Sequence, residues 1–313
     1  MFDRLKRKLF FSIGFGAIVF IGLSVYSDLD RLMAAFGRFD KRYIPAALLL
    51  ALGNYLLRFV RWEGYLRVLR VPLARKDSLV IFLAGLVMSV TPGKAGELLK
   101  AYLVRRRLGT PVSQSAPAVL AERLTDFISL ILLAFLGIFS FQKGLLTLVT
   151  AGAATAGFVL LLGWPGAAAV CLRIFSRMPV LNRLSDPLAR AYEGVRALIA
   201  PVHLLWAVAL GVGAWFAECL GFFLVLVGFG VDIGVVQAAF IYSFATLVGA
   251  VSMLPGGVGP TEGSMSGLLV LQGVALPDAV AGTFVIRVCT LWFAVVLGAG
   301  ALLQYREELE GGE

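Results

Sequence analysis

Apolar residues in this chain run in long blocks, over 9–26, 43–57, 128–141, 145–172, 202–228 and 279–303. Each block is long enough, or nearly so, to supply the about 20 helical residues that cross about 30 Å of hydrocarbon. Two stretches break the pattern. Thr91-Pro92-Gly93-Lys94-Ala95-Gly96-Glu97 and Leu254-Pro255-Gly256-Gly257-Val258-Gly259-Pro260-Thr261-Glu262 each stop an apolar run with Pro-Gly and place charge just beyond it. An arginine inside a hydrophobic helix follows each at nearly the same distance, 31 positions from Pro92 to Arg123 and 32 from Pro255 to Arg287. In hydrocarbon, non-helical backbone survives only where protein buries it or where it lines a cavity. Paired broken helices in two halves of a membrane protein point to a transport site.

Composition agrees with a lipid solvent. Hydrophobic residues make up 59% of the chain, charged ones 15%, and the mean hydropathy is +0.90, against about 25% charged in a typical soluble domain. Arg4, Lys6, Arg7 and Lys8 precede the first apolar block, and no small-residue cleavage site precedes Asp28. The N-terminus therefore reads as an uncleaved helix rather than a signal peptide. A net charge of +9 is placed by this reading in membrane-flanking loops, not in a nucleic-acid interface. Cys171, Cys219 and Cys289 lie singly in apolar segments, and His203 is the only histidine. Neither a disulfide framework nor a histidine metal centre is expected, and no cofactor is implied.

Lys and Arg set the expected orientation. With the N-terminus in the cytoplasm, helix 9–27 goes out and helix 43–60 returns to a basic loop with Arg61, Arg67, Arg70, Arg75 and Lys76. Segment 78–104 ends at Arg105-Arg106-Arg107, so it enters and leaves on that same side, as a re-entrant hairpin. Helices 117–140 and 147–171 lead to the basic stretch 172–200. Beyond helix 202–228, the loops 229–235 and 273–278 contain no Lys or Arg, so segment 236–272 enters from outside and helix 279–303 returns to a cytoplasmic tail. The outcome is an all-α, multi-pass protein of a bacterial-type cytoplasmic membrane with about six full spans, both termini inside, and an inverted-topology repeat. Its parts are an N-terminal helix and loop (1–42), repeat 1 (43–140), a connector (141–201), repeat 2 (202–303) and a tail (304–313), all in one membrane domain. Loop 28–42 fits poorly: it carries Arg31, Arg38, Lys41 and Arg42 yet lands outside.

Charges inside the apolar blocks carry the candidate chemistry. A central Arg, Lys or Asp costs about 2.5–3.5 kcal/mol on insertion scales and needs a partner or a watery cavity. Arg123 and Asp126 are i, i+3 neighbours able to pair, while Glu122 requires a further cation, from Lys94, Lys100 or Arg287. Glu218 stands alone in an apolar helix. Arg58 and Lys100, near expected helix ends, read as snorkelling side chains. Thr91-Pro92 and Gly259-Pro260 have the form of helix starts, and Glu262 falls in a first turn, where the dipole favours an anion. Pro92, Gly93, Pro255, Gly256 and Gly257 mark the breaks.

At these residues the chain resembles a known group. Thr91 to Lys100, Ala121-Glu122-Arg123-Leu124-Thr125-Asp126, Leu254 to Gly263 and Ile286-Arg287-Val288-Cys289-Thr290-Leu291-Trp292 are similar to the lysylphosphatidylglycerol synthase transmembrane-region family. Its members are also labelled flippase-like domain proteins. The resemblance implies that Glu97, Glu122, Arg123, Asp126, Glu262 and Arg287 line a central lipid-headgroup cavity. It also implies relatives that join a lipid-translocating membrane domain to a soluble aminoacyltransferase, or that serve hopanoid and polyprenyl-phosphate sugar pathways. This chain stops at Glu313 without such a second domain, so transferase activity is not carried over.

The leading expectation is translocation of an anionic or zwitterionic lipid, or of a lipid-linked precursor. Arg123, Arg287 and the helix starts would hold phosphate, and Glu97, Glu122, Asp126 and Glu262 a cationic group or protons. An intramembrane lipid-modifying transferase, or its partner subunit, and a small-solute or ion transporter stay open as alternatives. Membrane lipid is the expected partner and nucleic acid is not. A lipid-synthesising enzyme and a second copy of the chain are left open.

Overall fold

The computed structural model describes residues 28–91, 96–137 and 185–310, with Gly14 and Gly157 besides, and only the backbone of Ser185 and of 305–310. Among these residues there are helices and turns and no strand. In chain order the helices are α1 (Leu29–Arg38), α2 (Tyr43–Val68), α3 (Arg75–Leu86), α4 (Leu99–Leu108), α5 (Val112–Leu136), α6 (Ser185–Leu198) and α7 (Pro201–Gly228). They continue with α8 (Val235–Val251), α9 (Pro260–Leu271), α10 (Leu276–Arg287) and α11 (Phe293–Glu310). A π-helical turn, Val288–Trp292, joins α10 to α11. Among the described residues, three helical stretches are long and apolar enough to cross a membrane: Tyr43–Val68, Pro201–Gly228 and Leu276–Gln304. The expected spans 9–27 and 147–171 lie outside the described residues, as do Pro92, Gly93 and Lys94.

Helix α2 runs past residue 60, where the sequence reading ended it, and places Arg61 inside a helix rather than in a loop. The physical reason is an apolar face that continues. Trp62, Tyr65 and Leu66 extend the buried side begun by Tyr55 and Phe59, and Gly64 leaves room for the Trp206 ring, which a Cβ there would meet at 2.3 Å. Residues 28–42 also differ from the expected loop, because α1 occupies most of them. Asp28 accepts a hydrogen bond from the Asp30 N–H at 3.3 Å at its start, as an N-cap does. Leu32 and Ala35 pack on Val280 and Ala281 of α10. Three of the basic residues that fitted poorly are paired: Arg38 with Asp278 at 2.9 Å, Arg42 with Asp40 at 2.8 Å, and Arg31 with Asp28 at 3.5 Å.

Both broken segments stop where the sequence stops them. Helix α3 tightens into a 3-10 turn, Val87–Val90, and ends at Thr91. The Thr91 hydroxyl donates to the Met88 carbonyl at 2.6 Å and accepts from the Gly96 N–H at 3.2 Å, so one side chain serves backbone on both sides of the break. A 3-10 turn over 96–98 then leads into α4. In the second segment, α8 gives way to a 3-10 turn, Pro255–Gly257, before α9. Gly256, Gly257 and Gly259 take φ of 62°, 65° and 95°, a left-handed region that glycine enters at no steric cost.

Helix α2 lies along α7, α3 against α11, and α8 against α5, while the two 3-10 turns at the breaks touch each other. Asp77 at the start of α3 pairs with Arg107 at the end of α4, at 2.9 Å. Apolar packing divides into two main clusters, and α5 joins both: Ala118, Val119 and Ala121 belong to one, Leu130, Leu133 and Ala134 to the other. The charges of α5 lie between them. On the outside, Leu49, Leu56 and Val60 of α2, Val202 and Leu205 of α7, and Val296 and Leu303 of α11 are exposed. That apolar exterior matches a lipid surrounding.

Helix α11 approaches α3 so closely at Gly298 that a Cβ would stand 2.7 Å from both the Leu83 carbonyl oxygen and the Val87 nitrogen. Backbone cannot step aside as a side-chain tip can. Gly298→Ala is expected to lose about 1–3 kcal/mol through overpacking. Gly300→Ala, with nothing within 4 Å, should be neutral or gain up to about 1 kcal/mol in helix propensity. Thermal unfolding in detergent checks the pair; equal melting points would refute this packing.

Candidate functional site

Charge enters the interior of this fold from six of the described helices. Helix α5 brings Glu122 and Asp126 on its buried face, with Arg123 partly exposed beside them; α2 brings Arg58 and Arg61; α7 brings Glu218; α10 brings Arg287. Glu97 and Lys100 come from the far side of the first break, and Glu262 from the first turn of α9. Each cost of burial is offset by a partner, and the pairing decides what each group is able to do.

Asp126 is the hub. Its Oδ1 accepts from Arg61 Nη2 at 2.6 Å and from Trp215 Nε1 at 3.1 Å. Its Oδ2 stands 3.3 Å from Arg123 Nη1 and 3.8 Å from Arg58 Nη2. Three arginines from two helices thus share one carboxylate. Arg61 is the tightest, with no exposed side-chain surface, and Arg58 the loosest, its guanidinium also lying 5.8 Å from the Trp215 ring centre. Arg123 Nε lies 2.8 Å from Glu97 Oε2, a contact that spans from α5 to the first break.

Glu122 finds its cation in Lys100, one of the three that its spacing allowed. Lys100 does not snorkel. It is 4% exposed, with its ammonium 4.6 Å from the Trp62 ring centre and 5.4 Å from that of Phe82. Cation–π contact of this desolvated kind contributes about 2 kcal/mol. Gly85 makes the channel for its stem, since a Cβ there would lie 2.6 Å from Lys100 Cγ. Arg58 does not snorkel either, because the longer α2 places it mid-helix, 9% exposed.

The second break is clamped. Arg287 Nε donates to Glu262 Oε1 at 2.5 Å, and Nη2 to the Gly256 carbonyl at 2.7 Å. The other Glu262 oxygen accepts from the Gly259 N–H at 2.6 Å, which caps the start of α9. Arg287 therefore ties three points of one bend together. Glu218 receives the Tyr242 hydroxyl at 2.6 Å. Close by, Tyr55 donates to the Thr290 carbonyl at 2.7 Å, within the π turn, where backbone bonding is irregular.

These groups surround a cavity that opens to the exterior. Arg58, Glu97, Arg123, Glu218 and Arg287 face it, with Tyr55, Trp215, Tyr242, Gly256 and Gly257 from both halves of the chain. Glu122, Asp126 and Glu262 are not among its lining residues; Asp126 holds Arg58 and Arg123, and Glu262 holds Arg287, which are. Arg58 Nε and Arg123 Nη2 are among the buried polar atoms of this region that have no hydrogen-bond partner among the described residues, as are Arg123 Nε, Arg61 Nε and Nη1, Glu97 Oε2, Glu122 Oε1 and Asp126 Oδ2. No His, Cys, Asp and Glu cluster able to hold a metal occurs among the described residues. Sequence reading missed Arg61 and the aromatic lining. The available signal was the helical spacing of Tyr55, Arg58, Trp62 and Tyr65, which puts Arg58 and Arg61 on or beside the buried face.

Comparison with known proteins agrees with this architecture. A UPF0104 membrane protein of Methanothermobacter thermautotrophicus is 28% identical over 324 residues, covering 95% of this chain and 93% of its own length. A second from that organism is 22% identical over 325 residues, covering 95% and 96%. One from Pyrococcus horikoshii is 22% identical over 333 residues, covering 97% and 99%. The profile described as lysylphosphatidylglycerol synthase TM region matches residues 10–298. With that match over most of its length, and with helices apolar enough to cross a membrane, the chain is a multi-pass membrane protein belonging to the lysylphosphatidylglycerol synthase transmembrane-region family.

Proposed function

We propose that this protein translocates a lipid with a phosphate-bearing headgroup, anionic or zwitterionic, across a cytoplasmic membrane through the charged cavity between its two broken helices. One observation carries this reading: Arg58 and Arg123 face the cavity with buried N–H groups that no described residue accepts. A guanidinium presents a planar fork suited to phosphate oxygens. Arg58, 3.8 Å from a carboxylate it shares with two other arginines, gives up little when it turns to a ligand. Arg287, held on both sides by Glu262 and Gly256, serves instead to keep the second bend open. The acyl chains would stay in the bilayer.

Alternating access follows from an inverted repeat that pairs α2 with α7, α3 with α8, α4 with α9 and α5 with α10. Three features support it. Each half runs as long helix, helix ending in a 3-10 turn, break, short helix, then a helix bearing the arginine. Each of those arginines pairs with a carboxylate past its own break, Arg123 with Glu97 and Arg287 with Glu262. The contacts also exchange: α3 of the first half packs on the last helix of the second, and α8 on the last helix of the first. Re-entrance of the first segment is supported by the Asp77–Arg107 pair, which joins its two ends. Pairing of Arg38 with Asp278 brings 28–42 beside 273–278, which supports one shared side for the two, the external side in this reading.

Three measurements test this. Cysteines placed at Gly109 and Gly273 and probed with impermeant reagents should label from the cytoplasmic and the external side respectively. Labelling from one side would end the inverted repeat. Arg58→Gln should keep the fold, because Asp126 retains Arg61 and Arg123, yet headgroup transfer in reconstituted vesicles should fall at least about tenfold, equivalent to about 1.4 kcal/mol. Arg61→Gln should instead destabilise by about 3 kcal/mol or more, as loss of one partner of a buried pair does. Transfer at the parental rate in Arg58→Gln would sink the assignment.

A further inference from the structure

The buried carboxylates of this cavity region are not equally compensated. Glu97, Glu122, Asp126 and Glu262 each stand within 4.0 Å of an Arg or Lys. Glu218 does not, among the described residues: its partner is the Tyr242 hydroxyl. It is 6% exposed and faces the cavity. The groups around it come from every helix packed nearby: Tyr55 and Arg58 on α2, Asp126 on α5, Tyr242 on α8 and Arg287 on α10. Cys219 is its neighbour on α7. Arg58 and Arg287 lie across the open space rather than in contact.

Charge balance gives this arrangement a consequence. Among the described residues, the region holds five buried or half-buried cations, Arg58, Arg61, Lys100, Arg123 and Arg287, and five carboxylates, Glu97, Glu122, Asp126, Glu218 and Glu262. With every one of these ten ionised their charges sum to zero. A singly charged phosphodiester arriving at Arg58 and Arg123 would leave one negative charge in excess, in a setting where an uncompensated ion is expensive. A proton on a Glu218 carboxylate oxygen removes that excess. The other four carboxylates each contact an Arg or Lys, whereas Glu218 contacts only a hydroxyl, so Glu218 is the group placed to take it. Counted over these groups, the loaded and the empty state are then both neutral, and each half-loaded form is not.

We propose, building on the translocase reading, that this protein couples lipid to protons, carrying one proton on Glu218 with each anionic headgroup held at Arg58 and Arg123. The proton binds from water on the side where the headgroup loads and returns to water on the side where it leaves. Lipid therefore moves from the acidic toward the alkaline side.

The test uses the full chain in phosphatidylcholine vesicles carrying a trace of phosphatidylglycerol, part of it fluorescent, with and without a pH difference across the membrane. The parent should gather label in the leaflet on the alkaline side, approaching about tenfold per pH unit for one proton per lipid. Glu218→Gln keeps an oxygen to accept the Tyr242 hydroxyl and should melt close to the parent. It should bring label to the same even distribution whether or not a gradient is imposed. A gradient response that survives in Glu218→Gln would overturn the assignment of the proton to this residue. A parent that spreads label evenly under every gradient would overturn coupling and leave the translocase standing. A parent that moves no label under any condition would overturn the translocase reading and this one with it.

Discussion

Ionised groups inside a membrane domain must be compensated before anything else about the fold is settled, and Asp126 is where this protein does most of that work. Its carboxylate gathers Arg61 and Arg58 from α2, Arg123 from its own helix and the Trp215 indole from α7. Helices that share so little polar surface elsewhere are thereby fixed in rotation as well as in position. Arg61 has no other carboxylate within reach among the described residues, so α2 has one rotation about its axis that satisfies it. The aromatic face from Tyr55 to Tyr65 then falls against α3 and α5. Packing and charge demand the same geometry.

Both bends are solved with the same kind of interaction but different chemistry. In the second, glycines at positive φ permit the turn, and Arg287 binds a side chain on one side of it and a carbonyl on the other. In the first, Thr91 ties backbone across the gap and Glu97 reaches Arg123. Broken helices leave backbone groups that lipid cannot satisfy. Here side chains satisfy some of them, Thr91 at the first break and Glu262 and Arg287 at the second, and the 3-10 turns of the two breaks touch. Their meeting also places glycine backbone, rather than bulky side chains, at the cavity wall.

The cavity combines strongly held and weakly held charge. Lys100, Arg61 and Arg287 are engaged on their carboxylates and act as framework. Arg58 and Glu218, on the two helices α2 and α7 that lie side by side, have the least committed partners. Two reserves of opposite sign thus stand on adjoining walls of the cavity. The relatives carry no more than a membrane-protein description, so the residues themselves are the guide to chemistry.

Much was legible in the residues alone. Block hydropathy established an all-helical membrane protein, and Pro-Gly steps inside apolar runs located both breaks, because few other residues stop a helix in hydrocarbon. Arg123 beside Asp126 and the need of Glu122 for a cation followed from helical spacing and from the cost of burying charge. Other features depended on tertiary contact. Arg61 looked like a loop residue because Arg67, Arg70, Arg75 and Lys76 follow it in a basic run, and only the aromatic face of α2 packed against other helices carries the helix to Val68. Lys100 looked able to snorkel until Gly85, Trp62 and Phe82 enclosed it. Spacing along one helix names which charges must be paired. Which partner each one takes depends on distances between helices far apart in sequence, and those exist only once the chain has folded.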